Sequence, residues 1–293
     1  MTNEYVGIIL AGGTGSRLYP LTKSISKQLL PIYNKPMIYY SLSVLMLAKI
    51  REILIITTPS DSIHFKNLLG DGSNFGVNLK YKVQNKPNGI AEAFILGEKF
   101  IGKKNVCLVL GDNFFYGKDL VKILNECTKR KTGASIVAHY VKDAKNFGVV
   151  NIVKNKPVSI EEKPKKPKSN FAIVGLYFYD NKVLKYAKKI KPSRRGELEI
   201  TDINKIYLKN KKLNIRVLGR GFNWYDNGTQ DALLETSNLV KLIETKQGLM
   251  VGCLEEIAYK NSWINAKMLK SIINKLKMGQ YKTYLSNILH ANN

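Results

Sequence analysis

The apolar positions of the first half of the chain fall into short β-branched runs separated by stretches of helical period. Val6–Ala11 reads as a buried strand, Met37–Lys49 as a helix, Glu52–Thr57 as a second strand and Asp61–Leu69 as a helix. Leu79–Gln84, Val106–Leu110 and Ala134–Tyr140 supply further strands, with helices predicted over Ala91–Phe100 and Asp119–Lys131. Such alternation predicts an α/β protein with a mostly parallel, doubly wound sheet. From Gly148 the pattern changes. Val149–Val153, Pro157–Glu161 and Ala172–Tyr179 are strand-like with few helices between them, which predicts a mixed or antiparallel annex on the same sheet. Past Asp226 the chain turns helical, with Gln230–Glu244 amphipathic and Asn265–Lys277 a further helix. The expected organisation is a core over residues 1–228, a mostly parallel mixed central sheet flanked by helices. A C-terminal helical extension over 229–293 is expected to pack on it.

Composition narrows the classes. The 293 residues are 44% hydrophobic and 24% charged, which is globular. A chain of this length buries roughly 75% of its unfolded surface and needs no covalent staple. Its three cysteines, Cys107, Cys127 and Cys253, are odd in number and lack metal-ligand spacing, so a reducing, cytoplasmic setting is expected. The longest apolar runs, such as Val6–Ala11 and Leu42–Ala48, fall far short of the ~20 residues that span a bilayer, so no membrane partner is expected. Lys and Arg number 47 against 22 Asp and Glu, a net charge of +25 that raises the question of nucleic acid. The cations are mostly Lys spread along the chain, and only seven are Arg. No helix-turn-helix, zinc-finger or aromatic RNP pattern accompanies them, so no nucleic-acid partner is expected.

The strongest local signal is Leu10-Ala-Gly-Gly-Thr-Gly-Ser-Arg17, directly after the first predicted strand. Glycines there let a backbone approach phosphate and turn its N–H groups onto it. A P-loop lysine is missing, and the spacing fails the dinucleotide fingerprint, which needs a third small residue where Leu18 stands. What remains is a loop at the carboxyl edge of the sheet, carrying Arg17 and followed by Lys27. Two cations beside a backbone nest suit a triphosphate whose pyrophosphate must leave. A plain glycine turn with a solvated arginine is the competing reading. Asp112, ending an apolar strand, and Asp226, before a helix, can hold Mg²⁺ beside phosphate oxygens. Either could equally be a helix N-cap, Asp226 above all because Gly228-Thr229 follows it.

Gly7-Ile-Ile-Leu-Ala-Gly-Gly-Thr-Gly-Ser-Arg-Leu18, Ile25-Ser-Lys-Gln-Leu-Leu-Pro31, Lys35-Pro-Met-Ile-Tyr-Tyr40, Leu110-Gly-Asp-Asn113, Glu161-Glu-Lys-Pro164 and Arg195-Gly-Glu-Leu-Glu-Ile-Thr-Asp202 occur in that order. In these stretches the chain resembles the sugar-1-phosphate nucleotidylyltransferases, and within them the glucose-1-phosphate thymidylyltransferases, over nearly its whole length. The resemblance implies a Rossmann-like nucleotidyltransferase fold and the Mg²⁺-dependent reaction of dTTP with α-D-glucose 1-phosphate to give dTDP-glucose and pyrophosphate. It implies that Gly12, Gly13, Thr14 and Gly15 wrap the nucleotide, that Arg17 and Lys27 attend its phosphates, and that Asp112 and Asp226 hold the metal. Gln28, Gln84 and Gly89 match positions around the nucleoside, the last two at the thymine edge. Asn113 matches a position in the sugar-phosphate site. Gly148, Glu162 and Val174 match positions that line the glucose, while Lys163 and Arg195 match cations on the sugar phosphate. The resemblance further implies a homotetramer with a second nucleotide site, on whose stretches Tyr116, Gly117, Arg220, Cys253, Glu256 and Lys260 lie.

Three positions depart from the family pattern: Glu92 replaces a common Gln, Asn227 replaces the Thr that often follows the second aspartate, and Ser41 replaces a usual Pro. None removes a ligand of metal or phosphate. The competing readings are a uridylyltransferase and a catalytically silent homologue that binds a sugar nucleotide. Retention of Arg17, Lys27, Asp112, Lys163 and Asp226 together argues against the second. No role is expected for His64, His139 or His290, because a sugar phosphate is an anion near neutral pH and needs no general base.

Overall fold

A computed structural model of the chain describes residues 4–291. Its strands are β1 (Tyr5–Ala11), the short pair β2 (Pro31–Ile32) and β3 (Lys35–Pro36), β4 (Glu52–Thr57), β5 (Asn78–Val83) and β6 (Asn105–Leu110). There follow β7 (Asn113–Tyr116), β8 (Ala134–Tyr140), β9 (Gly148–Val153), β10 (Lys156–Glu162), β11 (Phe171–Tyr179), β12 (Leu213–Leu218) and β13 (Asn223–Asp226). The helices are α1 (Met37–Leu47), α2 (Ser62–Leu69), α3 (Glu92–Leu96), α4 (Glu98–Ile101), α5 (Leu120–Thr128) and α6 (Lys182–Ala187). Those of the last third are α7 (Ile200–Lys209), α8 (Gln230–Gln247), α9 (Leu254–Lys260), α10 (Ala266–Lys275) and α11 (Gln280–Ala291).

Across the main sheet the order is β5-β4-β1-β6-β11-β8-β12, and the β9–β10 hairpin joins β11 beyond the end of its pairing with β6. β10 and β11 run against all the other strands. The sheet is therefore mixed but mostly parallel, as the alternation of the first half and the strand-rich annex after Gly148 predict. Parallel strands covered on both faces read as continuous apolar runs, and β1 is buried along nearly its whole length. Its side chains part by the period of two. Tyr5, Ile9 and Ala11 enter a core roofed by α1, α5 and α9–α11, whereas Val6 and Ile8 enter one roofed by α3, α6 and α7. The helices after residue 250 thus share one apolar core with α1 and β1.

Several elements differ from the sequence expectation. Ala91–Phe100 is two helices, broken at Gly97, where a Cβ would press on Ile8 and Leu54 of the sheet. α5 ends at Thr128 rather than Lys131, and β12 on the sheet edge is an element the periodicity does not announce. Most consequential for the site is a separate two-stranded ribbon, β7 with β13, whose register sets Asp226 opposite Asn113.

Candidate active site

The loop after β1 carries its glycines where side chains would not fit. Gly13 and Gly15 have φ of 94° and 61°, in the left-handed region that L side chains avoid. Among the described residues, the N–H groups of Gly13, Thr14 and Gly15 donate to no protein acceptor, so they stay available to an anion. Arg17 folds back from this loop over Gly228. A Cβ at 228 would lie 2.3 Å from its Nη2, so any side chain there would push the guanidinium from this position. Arg17 thereby comes to 3.9 Å from the Asp226 carboxylate while remaining largely open to solvent.

The β7–β13 ribbon brings the two aspartates together. Asp112 precedes β7 and Asp226 ends β13, and the Asn227 N–H donates to the Asp112 carbonyl at 3.0 Å. Asp226 is not the helix cap: Thr229 occupies that position, its Oγ1 accepting from Ala232 N at 3.3 Å. Lys27 forms a close ion pair with Asp112. Burial alone would raise the Asp112 carboxyl, but the Lys27 ammonium and hydrogen bonds from Lys27 and Asn113 outweigh it and hold it below its ordinary value. Burial, and then the neighbouring Asp112 charge, push Asp226 up to about 6. Asn113 braces Asp112. Its Nδ2 donates to Asp112 Oδ1 at 2.9 Å, and its Oδ1 accepts from Gly175 N at 3.1 Å and from Trp224 Nε1 at 2.7 Å.

A cleft of about 460 Å³ opens beside the pair and gathers Arg17, Asp112, Asn113, Gly148, Glu162, Lys163, Arg195 and Asp226. Gly148 and Glu162 are register partners in the β9–β10 hairpin, and Thr201 from α7 donates to the Glu162 carboxylate. Arg195 is already matched by acids, at 2.6 Å from Glu197, 3.5 Å from Glu199 and 3.8 Å from Glu162. Lys163 makes no ion pair among the described residues, and its charge reaches Asp226, whose carboxyl it lowers. Val174 sends its side chain into the opposite core, so what it can offer the cleft is backbone. Residues the sequence reading left out complete the walls. Tyr177, Thr201, Asn204 and Trp224 line the cleft, and Asn204 Nδ2 is buried with no hydrogen-bond partner. The period-two alternation of β11 could have pointed to Tyr177, because it lies on the face opposite Val174.

The remaining candidates sit on the other side of the glycine loop. Gln28 Nε2 donates to Gly12 O at 3.3 Å, and Gln84 is buried just past the end of β5. Gln84 Nε2 donates to Glu92 at 2.7 Å and to the Gly89 carbonyl at 3.4 Å. The departure at position 92 thus holds the amide of Gln84. The candidates for a second nucleotide site do not form one cluster within the chain. Tyr116 donates to Gln247, Gly117 packs on the Phe222 ring and Arg220 lies in an exposed loop. Cys253 is buried against Tyr281, while Glu256 accepts from Lys260 and Tyr284, both at 2.6 Å. Among the described residues no hydrogen bond or ion pair joins the first three to the last three.

A divalent cation fits the donor set. The Asp112 charge helps to raise the Asp226 carboxyl, and such a pair is relieved by a hard cation that fills its remaining positions with water and phosphate oxygens. Among the described residues no cluster of three or more His, Cys, Asp or Glu side chains could hold a metal. No described helix is long and apolar enough to cross a membrane.

A glycine loop, paired carboxylates and flanking cations at the carboxyl edge of an α/β sheet are the equipment of an enzyme that transfers a nucleotidyl group. Residues 6–241 match the family model described as Nucleotidyl transferase, and the chain belongs to that family. A Bacillus anthracis crystal structure, solved in complex with a sucrose, superposes with a TM-score of 0.75 at 46% identity, covering 80% of this chain and 94% of that one. A UDP-glucose pyrophosphorylase complexed with UDP-glucose shares the fold at a TM-score of 0.72 and 22% identity, over 81% of this chain and 98% of that one. The glucose-1-phosphate thymidylyltransferase of Neisseria meningitidis is 53% identical over 97% of this chain and 99% of its own length. That of Mycobacterium tuberculosis is 48% identical over 98% and 99%. Within the family, the chain belongs with the glucose-1-phosphate thymidylyltransferases.

Proposed function

We propose that the chain transfers a thymidylyl group from dTTP to α-D-glucose 1-phosphate, releasing pyrophosphate and dTDP-glucose. A phosphate oxygen of the sugar phosphate attacks the α-phosphorus, the new P–O bond forms, and the bond to the β-phosphate oxygen breaks with its electrons leaving on pyrophosphate. Both reactants are anions, so their repulsion is the obstacle, and catalysis is positioning plus charge neutralisation. The free N–H groups of Gly13 to Gly15 and the exposed guanidinium of Arg17 suit the triphosphate. Lys163, with no carboxylate partner, suits the sugar phosphate better than Arg195, which three acids already engage. Asp112 and Asp226 would hold Mg²⁺, which when bound supplies Lewis-acid stabilisation of phosphate oxygens. Glu162, held by Thr201, would present its carboxylate to sugar hydroxyls, and Gln84 and Gly89 would meet a pyrimidine edge. A homotetramer with a second nucleotide site on the stretches of Tyr116 and Cys253 belongs to the same reading.

The observation that carries this reading is the union of the carboxylate pair, Arg17 and Lys163 in one cleft beside the glycine loop. Its test is pyrophosphate release with Mg²⁺ and α-D-glucose 1-phosphate, comparing dTTP with UTP, CTP, ATP and GTP. Release is expected to require the sugar phosphate and to be fastest with dTTP. A preference for UTP would move the substrate assignment, and silence with every nucleotide would leave a binding protein.

A further inference from the structure

Asn227, one of the departures from the family pattern, directly follows Asp226 and is completely buried. Its backbone N–H and its Nδ2 both donate to the Asp112 carbonyl, each at 3.0 Å. Its Oδ1 lies 2.6 Å from the hydroxyl of Thr236, which is completely buried in α8. The Ala232 carbonyl lies 2.8 Å from the same hydroxyl, but a hydroxyl has one proton to give. Asn227 Oδ1 has no other donor among the described residues, and two oxygens at 2.6 Å with no proton between them would repel. The proton therefore points to Asn227. The chain runs with fixed polarity from the Thr236 hydroxyl, through the Asn227 amide, to the carbonyl of the residue that bears the first site carboxylate.

We infer that Asn227 and Thr236 are positioning residues that clamp Asp112 and Asp226 to each other and to helix α8. Two like charges held side by side push their backbones apart unless something ties them. Here the tie is residue 227, which grips the Asp112 carbonyl with two donors while its own amide is locked from α8. An error of about 1 Å at such a site costs on the order of 100-fold in rate. The inference rests on the reading of Asp112 and Asp226 as the carboxylate pair of the transfer site.

The decisive comparison uses the full-length chain and the variants Thr236→Val, which keeps the shape and removes the donor, and Thr236→Ser, which keeps the donor. Steady-state kinetics and calorimetric titration of Mn²⁺ into the protein without substrates are both measured. Thr236→Val is expected to lower kcat about tenfold and to weaken Mn²⁺ about tenfold, the lower end of what loss of an outer partner of a metal ligand produces. KM for glucose 1-phosphate should stay within about twofold and Thr236→Ser should restore both losses, whereas a merely structural role would not separate kcat from KM. Asn227→Ala, checked for folding by circular dichroism, should reproduce the pattern and serves if the valine variant folds poorly. Wild-type kcat and Mn²⁺ affinity in both Thr236→Val and Asn227→Ala would overturn the clamp. Asp226→Asn separates the two layers of argument. If it weakens Mn²⁺ and neither Thr236→Val nor Asn227→Ala does, the clamp alone is wrong; if it does not, the carboxylate reading falls and the clamp with it.

Discussion

Arg17 and Asp226, neighbours in the cleft, carry opposite electrostatic signatures. Arg17 lies on Gly228 with one weak carboxylate contact, so nearly all of its charge stays available to an anion. Arg17→Ala should lower kcat on the order of 100-fold, as removal of a preorganised charge-stabilising donor does; an unchanged kcat with raised KM would reduce it to a uniform binding group. Asp226 carries the opposite signature. Its folded carboxyl titrates at about 6, above the ordinary 3.8, so the native state binds this proton more tightly than the unfolded chain. Its charge costs stability fully above pH 6, and the cost fades as pH falls towards 4, with a ceiling on the order of 3 kcal/mol. Asp226→Asn should therefore melt several degrees above wild type at pH 8 without metal, converge on it near pH 4, and have no turnover. A melting point equal to wild type at both pH values would refute the strained pair. The glycine loop, Arg17 and Asp112 were legible in the sequence because their chemistry is local to a strand end. Tyr177 and Asn204 were not, because inside an apolar strand and a helix they read as core.

Short ribbons do what the main sheet cannot. β7 and β13 are four-residue segments, Asn-Phe-Phe-Tyr and Asn-Trp-Tyr-Asp, too short and too mixed to announce themselves by period. Their pairing is long-range and no local signal encodes it, so the joint placing of Asp112 and Asp226 was implied only by the family resemblance, and the ribbon that brings them together became visible only in three dimensions. The long elements were legible for the converse reason: β1, β4 and β6 are apolar on both faces. The β2–β3 ribbon is anchored differently, by Lys35, 2% exposed, whose Nζ lies 2.8 Å from Glu244 in α8. Breaking a buried pair leaves an unmatched charge and costs about 3–5 kcal/mol, whereas replacing both partners by apolar groups is often neutral. Urea denaturation should show Lys35→Met strongly destabilised and Lys35→Met with Glu244→Leu largely recovered. Equal losses in both would mean that the pair contributes through packing.

Taken as a whole, the molecule has a charge of +25, and the reaction proposed for it joins two phosphate anions. Long-range attraction of this kind acts on encounter and is screened over about 10 Å at 0.1 M salt. Raising KCl from 50 to 300 mM should depress kcat/KM for the nucleotide several-fold and leave kcat nearly unchanged; a flat kcat/KM would show that the lysines are bystanders to capture. The C-terminal helices share their apolar core with α1 and β1, so a chain truncated after residue 228 should lose cooperative unfolding rather than persist as a trimmed enzyme.

The ribbon that joins Asn113 to Asp226 also sets an order in time. During synthesis the glycine loop, Lys27 and Asp112 leave the ribosome early, and Asp226 follows only after the whole annex and α7 have been made. A chain that ends before β13 carries only Asp112 of the two carboxylates, so the proposed pair exists only once β13 has been made and has docked on β7.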